Sequence, residues 1–292
     1  METLNWTQAL KYFVVRSPHY MKLKGGHFLP AIVKLQFENA TYEVKTIDHV
    51  DELDQVLRLR FEVFFNEFAT FRPPKYLMPY DIDGNDFKCD HLIVKEKRSG
   101  KIIACYRLIS SQRLKKGERY YTEGEFNLDD FLRIPGNKLE LGRACVHKDH
   151  RSGIVVRLLW RGLCEYAAKT QTKYMFGCSS VSRKDFGSMP SLMKSTHANK
   201  AFLEEYQVIA QPDFCLKHFP ELNVDMSYDP NEITTDKKHL NSLLNMYILA
   251  GAKVGKDFAY DAEMDCIDIF TVIDFNAMNP AFDRRFDNGQ SK

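Results

Sequence analysis

The sequence predicts an α/β fold built on a mixed, strongly twisted β-sheet. The main evidence is the order of the predicted elements, which run as strand, helix, hairpin, strand, helix, strand, helix and closing strands. A second observation is the apolar stripe of residues 51–68, which repeats with the 3.6-residue period of a helix packed on one face. A third is the Ser99-Gly100 pair, which separates two apolar runs and predicts a β-hairpin.

The predicted elements divide the chain into three parts. Residues 1–40 form an N-terminal extension with a short helix and a loop, 41–286 form the main domain, and 287–292 form a tail. In the main domain, strands are predicted at 42–47, on both sides of the hairpin turn, from Leu139 onward, at 174–181, near 258–261 and at 266–274. Helices are predicted at 51–68, at 153–170, near 198–206 and at 239–250.

Composition excludes several classes of protein. Charged residues make up 27% of the 292-residue chain and the net charge is +2, which gives no signature of nucleic-acid binding. No apolar run approaches the roughly 18 residues that cross a membrane, and the N-terminus lacks the features of a signal peptide. The seven cysteines show no zinc-binding spacing, and this pattern indicates reduced thiols in a cytosol. We therefore expect a cytoplasmic protein without a metal, and contact with the inner face of the cell membrane stays open.

One arginine lies where the helical pattern favours an apolar residue. Arg60 falls at the centre of the stripe, whereas Arg58 falls on the polar face, and a guanidinium is costly to bury unless it is paired. The nearest candidate partners are Asp81, Asp83, Asp86 and Asp90. Strand alternation places Arg107 among apolar neighbours as a second buried cation. Two interpretations stay open, a structural ion pair and a polar pocket for a zwitterionic substrate.

The segment LELGRACV carries charges inside a predicted strand. Strict alternation places Glu140 and Arg143 on opposite faces, with Gly142 between them. Because glycine inside a strand often marks a bulge, we expect a splayed strand that re-aims both side chains and frees backbone N–H groups. A carboxylate that takes a proton and amides that stabilise an oxyanion suit acyl transfer to an amine. The alternative is an irregular edge strand with two solvated side chains.

A basic turn, HKDHRSG, leads into the helix predicted from Gly153. The free N–H groups and the positive dipole end of a helix N-terminus attract phosphate, and basic residues suit an anionic ligand. Arg157 and Arg161 continue one face of this helix and indicate a docking patch for an acidic partner. A solvated turn and a solvated helix face are the simpler alternatives.

In this order, these segments resemble the acyl-carrier-protein-dependent branch of the GNAT superfamily. Within that branch, the resemblance is to the hemolysin-like ornithine (amino-acid) N-acyltransferase family, with acyl-homoserine-lactone autoinducer synthases as distant kin. It covers roughly residues 42–286 and is carried by LRLRFEVFFNE, DIDGNDFKCDHLIV, YRLI, ELGRACV, RLLWRGL, MFGCSSV and the run from LLNMYILAGAKVG onward. It implies a GNAT-like fold, a mixed twisted sheet with a splayed central strand flanked by helices.

The resemblance also implies an activity. The enzyme would move a long fatty acyl chain, 3-hydroxylated or not, from acyl carrier protein to the α-amino group of an amino acid, ornithine first, without a bound cofactor. It implies Glu140 as the base and Tyr247, in a Y-x-x-x-G pattern, as the acid that protonates the departing thiolate. Tyr247 also falls on an apolar helical stripe, so a role in the core is an equal alternative.

The implied binding residues form two groups. The substrate pocket would comprise Arg60, Asp83, Asp86, Arg107 and Arg143. The phosphopantetheine of the donor would contact Val146, His150, Arg151, Ser152 and Gly153. An acidic carrier protein is expected to dock on Arg151, Arg157 and Arg161.

The phosphate loop departs from the usual GNAT pattern Q/R-x-x-G-x-G/A, because HRSGIV has His150 first and Val155 last. A carrier protein presents only a phosphopantetheine arm and needs fewer contacts than coenzyme A. The departure therefore favours acyl carrier protein as the donor, with acyl-CoA as the alternative. Three other functions stay open: an autoinducer synthase, an N-acyl amino-acid synthase with another acceptor, and a non-catalytic acyl-binding, hemolysin-like protein.

Overall fold

The computed structural model describes residues 6–65, 78–229 and 242–279. In chain order, its helices and strands are α1 (Trp6–Lys24), β1 (Gln36–Glu38), β2 (Tyr42–Thr46), α2 (Val50–Val63), β3 (Asp90–Glu96), β4 (Ile102–Ser110), β5 (Phe126–Asn127), α3 (Asp129–Arg133), β6 (Asn137–Val146), α4 (Gly153–Lys169), β7 (Thr172–Ser182), α5 (Met189–Ala198), β8 (Ile209–Ala210), α6 (Ser242–Ala250), β9 (Lys253–Asp261) and β10 (Cys266–Asp274). The chain divides into two compact units. Unit 1 comprises residues 1–118 and 141–171, and unit 2 comprises residues 119–140 and 172–292.

Unit 1 is a sheet covered by long helices. Its strands follow the order β1-β2-β3-β4-β6, and the pairs from β1 to β4 are antiparallel. Helix α2 begins where His49 accepts a hydrogen bond from the Asp51 N–H group, and its buried stripe packs into the main core of this unit. Helix α4 comes close to β2 and β3 at Gly162, where an added Cβ would lie 2.9 Å from Leu92 Cδ2.

Unit 2 is a second strand system with its own core. Strands β7, β10 and β9 pair antiparallel, and β5 and β8 form a separate two-stranded sheet. The core packs side chains of α5 and α6 against these strands, including Met189, Leu192, Leu244 and Ile267. Strand β10 pairs with β7 along its whole length, so this strand pair stabilises the sheet of unit 2.

Strand β6 contributes to both units, because the boundary between them falls after Glu140. Its first residues pair in parallel with β7, from Asn137 opposite Thr172 to Glu140 opposite Phe176. Its second part lies beside β4 in unit 1. One strand therefore carries both of the charged residues that the sequence singled out.

The predicted mixed α/β architecture is confirmed. The hairpin, the helix from Gly153 and the closing strands all occur, with β10 matching the prediction of 266–274. The helix expected near 198–206 is wrong, because the helix of that region is α5 (Met189–Ala198), with Pro190 in its first turn. The extension also differs: its helix runs on to Lys24, and residues 36–38 form a strand that pairs with β2. Residues 66–68 of the predicted second helix lie outside the described residues.

None of the helices in the described ranges combines the length and the apolarity that crossing a bilayer requires.

The turn before β6 depends on a glycine. Gly136 has a φ of 123°, and an added Cβ would lie 2.8 Å from Lys173 Cβ. We expect Gly136→Ala to lower the free energy of unfolding by about 1–3 kcal/mol, because an L side chain is strained there and also clashes. Chemical denaturation measures the change. Gly187→Ala is the matched control, since nothing lies within 4 Å of its added Cβ and its φ is not positive. Equal losses in both variants would contradict this explanation.

Candidate active site

A buried guanidinium of unit 1 binds two carboxylates. Arg60, completely buried on α2, donates from Nε to Asp81 Oδ2 at 2.7 Å and from Nη1 to Asp86 Oδ1 at 2.6 Å. Asp86 lies in a short 3-10 helix, where its carboxylate also accepts the Asp83 N–H group at 2.8 Å. Of the candidate partners, Asp90 pairs elsewhere, with Arg113 and with the Tyr166 hydroxyl. The Arg60 charge is therefore compensated inside the fold.

Two further arginines extend this arrangement. Arg107 Nη1 donates to Asp83 Oδ2 at 2.7 Å and lies 3.5 Å from Asp86 Oδ1. Arg143 Nε lies 3.3 Å from Asp81 Oδ2, and Arg143 Nη2 lies 4.0 Å from Asp83 Oδ2. Unit 1 thus brings three arginines and three aspartates together, and we call this set the arginine–aspartate cluster. Its members are Arg60, Arg107, Arg143, Asp81, Asp83 and Asp86.

The cluster has a closed end and an open end. The side chains of Arg60, Asp81, Asp86 and Arg107 are at most 2% exposed. In contrast, the Asp83 side chain is 27% exposed and that of Arg143 is 15% exposed. The cluster therefore has one partly exposed carboxylate and one partly exposed guanidinium, with Arg143 Nη2 4.0 Å from Asp83 Oδ2.

The charges of the cluster hold one another ionised. Burial by itself would raise the pKa of Asp83, but the charges of Arg107 and Arg143 outweigh it and hold the pKa well below its usual range. For Asp81, burial is likewise outweighed, by Arg143 and then Arg60, and its pKa is lowered. Burial opposes ionisation of Arg60 as well, but Asp81 and Asp86 raise its pKa. Asp81, Asp83 and Arg60 therefore stay charged at neutral pH.

His91 and Cys89 lie against Asp86 at the closed end. Burial lowers the pKa of His91 to about 4, so its imidazole is neutral at pH 7. Burial also raises the pKa of the Cys89 thiol well above its usual value. Although Asp86, Cys89 and His91 offer ligand atoms within 4.8 Å of one another, the two cations on Asp86 and the protonated thiol oppose a metal ion there.

The backbone of β6 departs from regular strand geometry at Arg143. Its φ is 51°, in the left-handed region, whereas Gly142 does not have a positive φ. The irregularity expected at the glycine therefore lies one residue later. The thiol of Cys105, on the neighbouring strand, donates to the Arg143 carbonyl at 3.7 Å. With this left-handed backbone conformation, the side chain of Arg143 lies in the cluster.

Glu140 lies in unit 2 and is buried, with 2% of its surface exposed. Its carboxylate accepts hydrogen bonds from the Tyr121 N–H group at 2.8 Å and from the Thr122 N–H group at 2.6 Å. The Thr122 hydroxyl donates to the same carboxylate. The turn at 121–124 thus holds the carboxylate in one orientation. Sequence reasoning missed this contact, because Tyr121 and Thr122 belong to a loop without a periodic pattern.

A group of buried acids and thiols continues from Thr122 within unit 2. Cys178 lies 3.7 Å from the Thr122 hydroxyl and 3.3 Å from Glu125 Oε2. Burial, and then the charges of Asp268 and Asp261, raise the pKa of Glu125 well above its usual value. Sequence reasoning missed this group too, although Asp268 interrupts the apolar run of β10.

The remaining candidate site residues belong to other segments of the chain. Tyr247, on α6 in unit 2, is 7% exposed. In unit 1, β6 ends at Val146 and Ser152 directly precedes α4. Arg151 and Gly153 are exposed, and Arg151 donates from Nε to the Val146 carbonyl at 3.2 Å. The basic turn therefore surrounds an accessible helix N-terminus, as an anion site requires.

The chain is similar to several known proteins. A family model described as an acetyltransferase (GNAT) domain matches residues 59–161. An L-ornithine N(alpha)-acyltransferase of Rhizobium meliloti (strain 1021) is 30% identical over 245 residues, 80% of each chain. One from Agrobacterium fabrum (strain C58 / ATCC 33970) is 28% identical over 244 residues, again 80% of each. Among solved structures, FeeM, an N-acyl amino acid synthase from uncultured soil microbes, is 10% identical, with a TM-score of 0.43 over 84% of this chain and 93% of that chain.

The two arginines of α2 provide a matched test of burial. Arg60→Met leaves Asp81 and Asp86 buried without the cation that bridges them, so we expect the free energy of unfolding to fall by about 3–5 kcal/mol. Arg58→Met should cost less than about 1 kcal/mol, because the Arg58 side chain is 50% exposed where it pairs with Asp54. Chemical denaturation compares the two variants. A similar loss in both would show that the cluster does not depend on Arg60.

The neutral state of His91 predicts a pH dependence. Its pKa is about 4 in the folded protein against a usual 6.5, so the unfolded chain binds an additional proton between these values. This contribution to stability is full above pH 6.5 and is lost as the pH falls toward 4, by about 3 kcal/mol at most. His91→Leu should flatten this part of the curve of unfolding free energy against pH. The exposed His27→Gln should leave the curve unchanged, and a wild-type slope in His91→Leu would refute the assignment.

Proposed function

The chain belongs to the L-ornithine N(alpha)-acyltransferase family, and from this premise we propose that it transfers a long fatty acyl chain from acyl carrier protein to the α-amino group of ornithine. The product would be an N-acylornithine, the lyso form of an ornithine lipid. We propose residues 41–286 as the catalytic domain, with the boundaries that the sequence predicts. The open end of the arginine–aspartate cluster is the observation that best supports the amino-acid acceptor.

The acceptor would bind through its two charged groups. Asp83 and Arg143 are the partly exposed carboxylate and guanidinium of the cluster. An amino acid carries an ammonium and a carboxylate, which have the opposite charges. We assign the substrate ammonium to Asp83 and the substrate carboxylate to Arg143. Arg60, Asp86 and Arg107 would hold these two in place through the buried ion pairs. Paired, hydrogen-bonded charges of this kind fix orientation because they do not need to reorganise when the substrate arrives.

The amine must lose a proton before it can attack. We assign this step to Glu140, whose carboxylate is held by the turn at 121–124 and takes the proton directly or through a water molecule. The amine nitrogen then forms a bond to the thioester carbon, and the bond from that carbon to sulfur breaks. The thiolate leaves with a proton from Tyr247 or from solvent, and the second proton of the amine nitrogen, lost as the amide forms, replaces that proton.

A direct attack on the thioester fits the state of the cysteines. Burial raises the pKa of the thiols of Cys89, Cys178 and Cys266 well above the usual value, so these thiols stay protonated at neutral pH. The thiolate is the nucleophilic form of cysteine, and these three residues are therefore poor candidates for an acyl-enzyme intermediate. We propose a single transfer from donor to acceptor.

The donor would approach the N-terminus of α4. His150, Arg151, Ser152 and Gly153 form an exposed or half-exposed turn there, beside Val146, and this supports binding of the phosphate of a phosphopantetheine arm. Arg151 and Arg157 are exposed and would contact the acidic carrier protein. Arg161 also stacks on Phe37, with its guanidinium carbon 4.2 Å from the ring centre, which leaves it a smaller part in docking. We place the enzyme in the cytoplasm, in contact with the membrane that receives its product.

A reconstituted reaction tests the function. We expect the purified protein to release free thiol from long-chain acyl carrier protein and to form an N-acyl product with ornithine, with kcat/KM at least about tenfold above that of other amino acids. Acyl-CoA that carries the same acyl group should be the poorer donor. A preference for another amino acid, or formation of a homoserine-lactone product, would show that ornithine is not the acceptor. If no amino acid yields a product, the protein is not this enzyme.

The role of Glu140 has its own test. Glu140→Gln should lower kcat by about 100-fold or more, because the amide cannot take the proton of the amine. Glu123→Gln is the matched control, since Glu123 belongs to the same turn and accepts the Tyr120 N–H group at 2.7 Å. Thermal unfolding of both variants separates a loss of chemistry from a loss of fold. Full turnover of Glu140→Gln would remove Glu140 from the mechanism and leave the acceptor assignment intact.

A further inference from the structure

Helix α1 is fixed on unit 1 by one face. Tyr12 and Leu23 are buried on that face, and the Tyr12 hydroxyl donates to the Tyr80 carbonyl. The Tyr12 ring also meets the rings of Phe61 and Phe65 edge-on, with centroids 6.5 and 5.2 Å away. These contacts determine which side of α1 faces outward.

The outward face of α1 is apolar. Val14, Pro18 and Met21 follow one another at the i, i+4 and i+7 positions of a helical stripe, opposite the buried face. Val14 is 61% exposed and Met21 is 66% exposed. Phe13 and Val15, at the borders of the stripe, are also exposed. An ordinary solvated helix would present polar side chains at these positions.

Exposed apolar side chains are concentrated in this part of the protein. Where the structure describes exposure, nine large hydrophobic residues are exposed, and six of them lie between positions 13 and 32. Besides the residues of α1, these include Leu29 and Ile32 in the loop that follows the helix. Such a concentration indicates a binding surface, whereas scattered exposed residues do not.

The same segment is strongly basic. Residues 3–37 contain no aspartate or glutamate and five basic residues: Lys11, Arg16, Lys22, Lys24 and Lys34. Lys22 and Lys34 are exposed, whereas Lys24 binds Asp54. The whole chain has a net charge of only +2, so the positive charge is local to this segment. An apolar stripe with basic residues at its borders complements an anionic lipid surface.

We propose that residues 13–32, the outer face of α1 with the loop after it, dock on an anionic phospholipid bilayer. A few side chains that project from one convex helix are too small a surface for a stable protein partner, which takes about 20–30 residues a side. A bilayer adapts to such a helix, accepts its apolar side chains between the headgroups and attracts its lysines. This inference does not depend on the proposed chemistry. It places unit 1 against the surface that an N-acylated, lipid-like product would enter.

Vesicle flotation with the full chain tests the proposal. We expect binding to vesicles of phosphatidylglycerol and phosphatidylcholine in equal parts, little binding to phosphatidylcholine alone, and weaker binding as salt rises. The double variant Val14→Ser/Met21→Gln should lower the bound fraction by at least about threefold. Lys22→Glu should lower it by changing only a charge. The matched control is Ile209→Ser/Leu249→Gln, since these two residues are 51% and 54% exposed outside the segment.

The outcomes separate the alternatives. Loss of vesicle binding in the α1 variants, with wild-type binding in the control and unchanged thermal unfolding, supports the proposal. Absence of wild-type binding, or equal loss in the control, overturns it. If the α1 variants instead abolish self-association or binding of acyl carrier protein while vesicle binding persists, the surface serves a protein partner and the proposal is wrong. Turnover of a short, water-soluble acyl donor should be the same in all variants, so failure of the enzyme assay is a separate result.

Discussion

The ion pairs of Arg60 with Asp81 and Asp86 are the interaction on which the architecture of unit 1 depends. A fully buried guanidinium needs counter-charges nearby, so the chain after α2 has to return its aspartates to the last turn of that helix. Once Asp86 is placed, its capping contact shapes the short 3-10 helix and presents Asp83 at the edge of the cluster. The same electrostatic requirement therefore stabilises the fold and creates the proposed binding surface.

Local periodicity explains which parts of the structure were predictable. The stripe of α2, the hairpin of β3 and β4 and the helix from Gly153 follow from patterns within 10 to 20 residues. The misfit of Arg60 in its stripe correctly indicated buried partners, and the match of a GNAT family model confirms the expected fold. The helix expected near 198–206 failed, because that region has weak periodicity and α5 begins instead at the Met189-Pro190 pair.

Long-range contacts explain what the sequence could not predict. Four aspartates were equally good partners for Arg60 by sequence distance, and only the folded chain assigns Asp90 to Arg113 instead. The donors to Glu140 are mostly backbone N–H groups, which leave no trace in residue identity. Likewise, the role of Asp268 in β10 depends on its neighbour Glu125, whose pKa is raised first by burial and then by the charges of Asp268 and Asp261.

The left-handed backbone of Arg143 carries an evolutionary cost. A residue other than glycine at a φ of 51° sacrifices about 1 kcal/mol or more of conformational energy. Glycine at this position would recover that energy but lose the contact of the guanidinium with Asp81. Stability alone therefore acts on this position in two opposite directions, because loss of the guanidinium removes a counter-charge from the buried Asp81. Laboratory evolution for stability, without a selection for activity, is expected to replace Arg143 only together with Asp81.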